Sequence, residues 1–153
     1  MDTNARKNRS GTWMERRIEG HLSIDQAKHP NAVIFKQKTF ARLAKLAGIE
    51  GPPALMNRQF DLVYVDSDCR INIETNFYSG GGSKPQEIID SYIDRQRQLV
   101  QAGWSFILAT DGAGWLAGKN QLRRGISELD FLMNLNFVRA GLLQAAVEAC
   151  YES

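Results

Sequence analysis

Cysteine and histidine are scarce in this chain, with two of each among 153 residues. Cys69 and Cys150 lack metal-ligand spacing and read as ordinary thiols in a reducing, cytoplasmic setting. His21 and His29 have no Cys or His cluster near them in the sequence, which speaks against a zinc site. No apolar run approaches the roughly 18 residues of a membrane span. The opening MDTNARKNRSGT is polar and lacks the apolar segment of a secretory signal. Internal repeats are absent, and the only compositionally biased segment is a glycine loop. What remains is 43% hydrophobic and 24% charged, a balance that fits one globular domain with its own core.

The net charge of +2 conceals an asymmetry. Residues 1–45 carry ten Lys/Arg against four Asp/Glu, whereas residues 46–153 carry nine against thirteen. A basic first third beside an acidic remainder suits a polyanion docking on one side and metal-binding carboxylates on the other. Arg6, Lys7 and Arg9 precede a helix start, with Arg16 and Arg17 inside it, a pattern that fits phosphate binding.

The order of elements follows from periodicity and caps. A helix is predicted over 11–28, opened by the capping box Thr12-Trp13-Met14-Glu15. A short strand is expected at 32–35. Thr39 caps a helix over 40–47 that Gly48 stops. Two β-rich runs follow, 60–65 and 71–77, joined by the turn Asp66-Ser67-Asp68-Cys69. The loop from Tyr78 leads to a helix with Ser83 as N-cap, Pro85 early and Gln86 completing a second capping box. Its stripe of Ile88, Ile89, Tyr92, Ile93, Gln96, Leu99 and Val100 reads as packing, closed by Gly103. A buried strand over 104–110 ends in Asp111-Gly112, and strand–helix–strand of this length implies a parallel pair. From Gly118 the pattern is mostly helical, with Ser127-Glu128-Leu129-Asp130-Phe131-Leu132 the plainest helix start. Leu142, Leu143, Ala146 and Val147 form either an interface or the closure of the core.

The chemistry concentrates in the hairpin. Asp61 opens its first strand, and Glu74, with Asn76 on the same face, lies in the second. A hairpin of this length brings Asp61 beside Glu74. Two hard carboxylates there suit Mg²⁺, which prefers oxygen ligands and keeps waters for phosphate chemistry. That combination reads as a metal-dependent nuclease centre. Asp66, Asp68 and Asp111 read as turn residues.

The run Ile73-Glu74-Thr75-Asn76-Phe77-Tyr78-Ser79-Gly80-Gly81-Gly82-Ser83-Lys84-Pro85, with Thr110-Asp111-Gly112-Ala113-Gly114-Trp115, resembles the DpnII/MboI family of type II restriction endonucleases. So do Asp2 to Gly11 with Met14-Glu15, and the stretch Asn134-Leu135-Asn136. The resemblance implies an α/β fold with a PD-(D/E)XK core, a mixed central sheet flanked by helices, and a helical C-terminal segment. It implies Mg²⁺-dependent hydrolysis of double-stranded DNA at GATC, sensitive to methylation and leaving 5′-phosphates, in a bacterial or archaeal cytoplasm. Asp61, Glu74 and the Thr75 carbonyl would hold the metal, and Glu15 (or Glu19, one turn on) would add an acidic group. Asn76 stands where the family motif usually has lysine, and its amide could hold the attacking water. Arg6, Lys7, Arg9, Ser83 and Lys84 would contact DNA, and a palindromic site implies a homodimer. The expected organisation is a single nuclease domain over 1–153, with a basic arm at 1–10, a core at 11–117 and a helical segment at 118–153. Family members are longer at the N-terminus, so a catalytic half or split fragment that binds DNA or a partner chain without cutting is the alternative.

Overall fold

The fold comes from a computed structural model that describes residues 3–67, 69–81 and 84–152, residues 3–10 by their backbone alone. In chain order the elements are α1 (Thr3–Gln26), β1 (Val33–Thr39), α2 (Phe40–Ala47), β2 (Gln59–Asp66), β3 (Cys69–Phe77), α3 (Pro85–Gln101) and β4 (Ser105–Asp111). They continue with α4 (Lys119–Glu128), β5 (Leu132–Met133), α5 (Leu135–Arg139) and α6 (Leu142–Tyr151). The strands form one mixed sheet in the order β1-β2-β3-β4-β5. The first three are antiparallel, and β4 runs parallel to both β3 and β5. This is an α/β architecture consistent with a restriction-endonuclease-like fold.

Side chains alternate across the strands, so the sheet buries two apolar faces. On one, Met14, Ile18 and Leu22 recur at helical spacing along α1 and meet Leu62, Ile71, Ile73 and Ile107. On the other, Phe40 and Leu43 from α2 and Leu99 from α3 cover Phe60, Val63, Phe106 and Leu108. Leu143, Ala146 and Val147 of α6 are buried in the first cluster and close the core, while Leu142 stays exposed. Among the described residues no helix is long and apolar enough to cross a membrane.

Local signals placed several elements correctly. The Thr39 side chain accepts the Arg42 N–H at 3.1 Å and opens α2, which Gly48 ends in the left-handed conformation at φ 67°. Pro85 begins α3, with Lys84 at the cap position making no side-chain cap bond. Ser83, the expected cap, lies outside the described residues.

Three expectations need correction. The helix does not start at Thr12: α1 already runs from Thr3, so the capping box lies inside a helix and Glu15 has no capping duty. Ala5, Arg6 and Lys7 favour helix, and an interior glycine such as Gly11 costs only about 1 kcal/mol. The expected helix start at Ser127 is instead a helix end. α4 stops at Glu128, Leu129 turns extended, and Leu132–Met133 add a parallel edge to β4. Burial of Leu129 and Met133 overrides the local pattern there. In α3, Val100 is exposed and Arg95 is buried, so the stripe is not purely apolar.

The end of β3 is pinned to the turn after β4. Tyr78 N–H donates to the Asp111 carbonyl at 2.8 Å, and Gly114 N–H donates to the Tyr78 carbonyl at 3.0 Å. Gly112 sits at φ 116°, and a Cβ there would lie 2.1 Å from the Tyr78 carbonyl oxygen. Gly112→Ala should therefore cost at least about 2 kcal/mol in urea denaturation. Gly20→Ala, in open space on α1, should gain about 0.5–1 kcal/mol. Equal stability of the two variants would contradict this packing.

Candidate active site

The β2–β3 ladder is regular from Asp66↔Cys69 to Leu62↔Ile73, and the next pair would be Asp61 with Glu74. There side chains replace the backbone pairing. Asp61 N–H donates to Glu74 Oε2 at 2.8 Å, and Thr75 N–H donates to Asp61 Oδ2 at 2.9 Å. Each carboxylate thus takes the place of a carbonyl in the ladder, and the strands deliver both acids to one seam.

On the other side of β2, the β1–β2 ladder skips Gln37 and Asp61, which lie between the pairs Lys36↔Leu62 and Lys38↔Phe60. Gln37 has φ 50°, a left-handed conformation rare outside glycine. Its amide nitrogen donates to Glu15 Oε1 and Oε2 at 2.9 and 2.8 Å and to Asp61 Oδ1 at 3.1 Å. One side-chain amide therefore joins the helix acid to the strand acid. Glu19, one turn on, pairs with Lys36 at 3.3 Å instead. Glu15, Asp61 and Thr75 line a cleft of about 550 Å³, with Arg16 and Lys36 at its walls.

Glu74 lies behind the seam and is 6% exposed. It is no exposed strand position. Asn72 Nδ2 donates to Glu74 Oε2 at 3.0 Å, and Arg95 of α3 approaches Glu74 Oε1 at 3.4 Å. Arg95 Nε also donates to Asn72 Oδ1 at 2.8 Å, which fixes the guanidinium. Asn76 accepts from Thr110 Oγ1 at 3.0 Å, whose oxygen in turn accepts Trp115 Nε1–H at 3.0 Å.

Arg95 and Gln37 were not found from sequence. Arg95 left a trace, a charged residue between Tyr92 and Leu99 on the buried face of a helix. Gln37 left none, because a positive φ in a strand has no sequence signature for glutamine. Asp66 and Asp111 act as turn residues, Asp66 accepting Ser67 N–H and Asp111 accepting Gly112 N–H. Lys84 is exposed at the start of α3. The side chains of Arg6, Lys7 and Arg9, like Ser83 and Asp68, lie outside the described residues.

The seam carries more negative charge than it neutralises. Burial, then the neighbouring Asp61 carboxylate, push the Glu74 carboxyl up to about 7, with Arg95 only partly opposing. Burial raises Glu15 too, against the Gln37 hydrogen bond, with Asp61 and Glu19 adding to the rise. An all-oxygen, under-neutralised set of this kind fits a hard dication. Among the described residues, three imidazole or carboxylate ligand atoms converge within 4.8 Å at Asp25, His29 and Glu148, not here. Asp61 and Glu74 would therefore hold an ion together with backbone oxygen and water, as Mg²⁺ commonly is held.

The sign of the linkage is fixed by a raised carboxyl. The stabilising contribution of protonated Glu74 is fully present below pH about 4.5 and is lost as pH rises through about 7. It amounts to at most about 3 kcal/mol. In chelated buffer, Glu74→Gln should be more stable than wild type at pH 8 and similar to it at pH 4.5, by denaturant titration. Parallel pH profiles for the two proteins would contradict the buried charge.

The DpnII restriction endonuclease family model matches residues 1–145. The chain is 34% identical to the type II restriction enzyme MjaIII of Methanocaldococcus jannaschii, over 94% of this chain and 51% of the relative. It is 32% identical to DpnII of Streptococcus pneumoniae over 94% and 51%, and 35% identical to MboI of Moraxella bovis over 88% and 45%. No solved structure matches the chain. The chain spans about half the length of the curated relatives it matches. With nearly its whole length matched by the family model, the chain belongs to the DpnII restriction endonuclease family.

Proposed function

We propose that this chain is the catalytic part of a Mg²⁺-dependent type II restriction endonuclease that hydrolyses double-stranded DNA at GATC and leaves 5′-phosphates. The observation that carries the reading is the seam where Asp61 and Glu74 replace the β2–β3 ladder and hold buried, under-neutralised charge. The family match and the relatives named as type II restriction enzymes support it.

Asp61, Glu74 and the Thr75 carbonyl are the proposed metal ligands, with Glu15 at the same cleft. Mg²⁺ bound there would supply Lewis-acid polarisation of the scissile phosphate and a more acidic water. The protein's own part is positional. Two backbone N–H groups orient the carboxylates, and Gln37 holds Glu15 against Asp61. Asn76, steadied by Thr110, is the candidate to orient the attacking water. In-line attack expels the 3′ oxygen. Arg16 and Lys36 give the cleft walls a charge that suits the flanking phosphates, and Arg6, Lys7, Arg9, Ser83 and Lys84 are the further proposed DNA contacts. A twofold GATC site would engage two copies, one per strand.

The half-length of the chain relative to its relatives favours a second reading, a part that binds DNA or a partner chain without cutting alone. Incubation of the purified chain with Mg²⁺ and plasmid DNA, unmethylated or methylated at GATC, separates the two. Discrete GATC fragments from the unmethylated plasmid alone are expected. Glu74→Ala should reduce cutting by more than about a hundredfold while preserving the circular dichroism spectrum. Undiminished cutting by Glu74→Ala would overturn the assigned centre, and duplex binding without cleavage by folded wild type would establish the second reading. Asn76→Ala should slow the single-turnover rate by about a hundredfold with little loss of DNA affinity; an unchanged rate would remove Asn76 from the chemistry.

A further inference from the structure

His29, which looked isolated in the sequence, is not isolated in space. Its Nε2 lies 2.7 Å from Glu148 Oε1 on α6 and 4.0 Å from Asp25 Oδ2 at the end of α1. The ligand atoms of all three residues fall within 4.8 Å of one another. Glu148 is 119 residues away in sequence, so no local spacing could reveal the cluster.

Asp25 makes the cluster more than a surface ion pair. Its side chain is fully buried, and neither carboxylate oxygen has a hydrogen-bond donor in bonding geometry. A buried carboxylate without donors costs several kcal/mol unless something neutralises it. The nearest acid is Glu148, and two carboxyl groups can satisfy one another only when one holds a proton. Burial, then the adjoining Glu148, push the Asp25 carboxyl up to about 6. The pocket thus favours a cation, met either by a protonated His29, which Glu148 and Asp25 favour, or by a bound ion in its place, and the exposed faces of His29 and Glu148 leave a way in.

The ring is also held in place. Tyr151 stacks on His29 with centroids 4.2 Å apart and planes 17° apart, and its hydroxyl donates to Asp66 Oδ2 at 2.7 Å. The His29 carbonyl accepts Ala32 N–H at 2.9 Å, which fixes the backbone of the loop.

We infer that Asp25, His29 and Glu148 form a second metal centre, one that takes a transition-metal dication such as Zn²⁺ and fastens α6 to the end of α1. One imidazole and two carboxylates form a ligand set of the kind such ions accept, and the imidazole disfavours Mg²⁺ and Ca²⁺. Two carboxylates balance the charge of a dication. The separations of 2.7 and 4.0 Å bracket the about 3.3 Å expected between two donors of a tetrahedral zinc. Water completes the shell on the exposed side. The centre is separate from the nuclease seam, since Asp25 follows Glu15 by ten residues, about 15 Å along α1.

The test is zinc titration by calorimetry, paired with thermal unfolding, on wild type, Glu74→Gln, His29→Ala and Glu148→Gln. With Mg²⁺ in excess to occupy the seam, wild type and Glu74→Gln should each take one equivalent of zinc and gain in Tm. His29→Ala and Glu148→Gln should bind zinc at least about tenfold more weakly and lose the Tm gain. Both residues are partly exposed, so the substitutions leave the core intact, and either variant alone decides. Wild-type zinc affinity in either variant, or no stoichiometric uptake by wild type, would overturn the centre. Because Glu74→Gln should retain zinc, failure of the nuclease reading and failure of this one are distinguishable.

Discussion

Two hydrogen bonds hold the centre of this structure together: Asp61 N–H to the Glu74 carboxylate and Thr75 N–H to the Asp61 carboxylate. Each puts an acidic side chain where a sheet would otherwise use a carbonyl. The exchange gives the Asp61 and Thr75 N–H groups partners, which spares the cost of leaving them unpaired. It also fixes both carboxylates to strands rather than loops, and strands hold geometry best. Everything else near the seam adapts to it. Gln37 accepts a strained φ to reach Glu15 and Asp61, Asn72 gives its amide to Glu74, and α3 contributes Arg95 from across the sheet.

Stability and function pull in opposite directions there. Burying Glu74 beside Asp61 disfavours the ionised form, and one guanidinium does not restore the balance. A protein selected for stability alone would carry an apolar residue at position 74, opposite Leu108. A buried acid retained there suits a cation, and it stands behind the cleft that Glu15, Glu19 and Asp61 line.

Much of this was legible in the sequence, and the limits have physical causes. The hairpin, the Thr39 cap, the Gly48 stop and the parallel β3–β4 pair rest on local rules, namely alternation, capping and connection length. The start of α1 was misplaced because a capping box is also compatible with the interior of a helix. The 127–132 segment failed because β5, two residues long, exists only through its pairing with β4. Glu15 and Asp61 could be nominated from motifs, but the Gln37 bridge between them could not. Arg95 and the His29 cluster depend on contacts made across the fold, 23 residues to Asn72 and 119 to Glu148, and sequence spacing carries no trace of such distances.

The proposed Mg²⁺ site is the seam, and not some other acidic group. Titrating ¹⁵N-labelled protein with Mg²⁺ and following its amides tests that directly, because the Asp61 and Thr75 N–H groups are bonded to the two carboxylates in question. These two amide signals should move first and furthest, and the response should be lost in Glu74→Gln. Saturable Mg²⁺ binding that leaves both signals in place would contradict it.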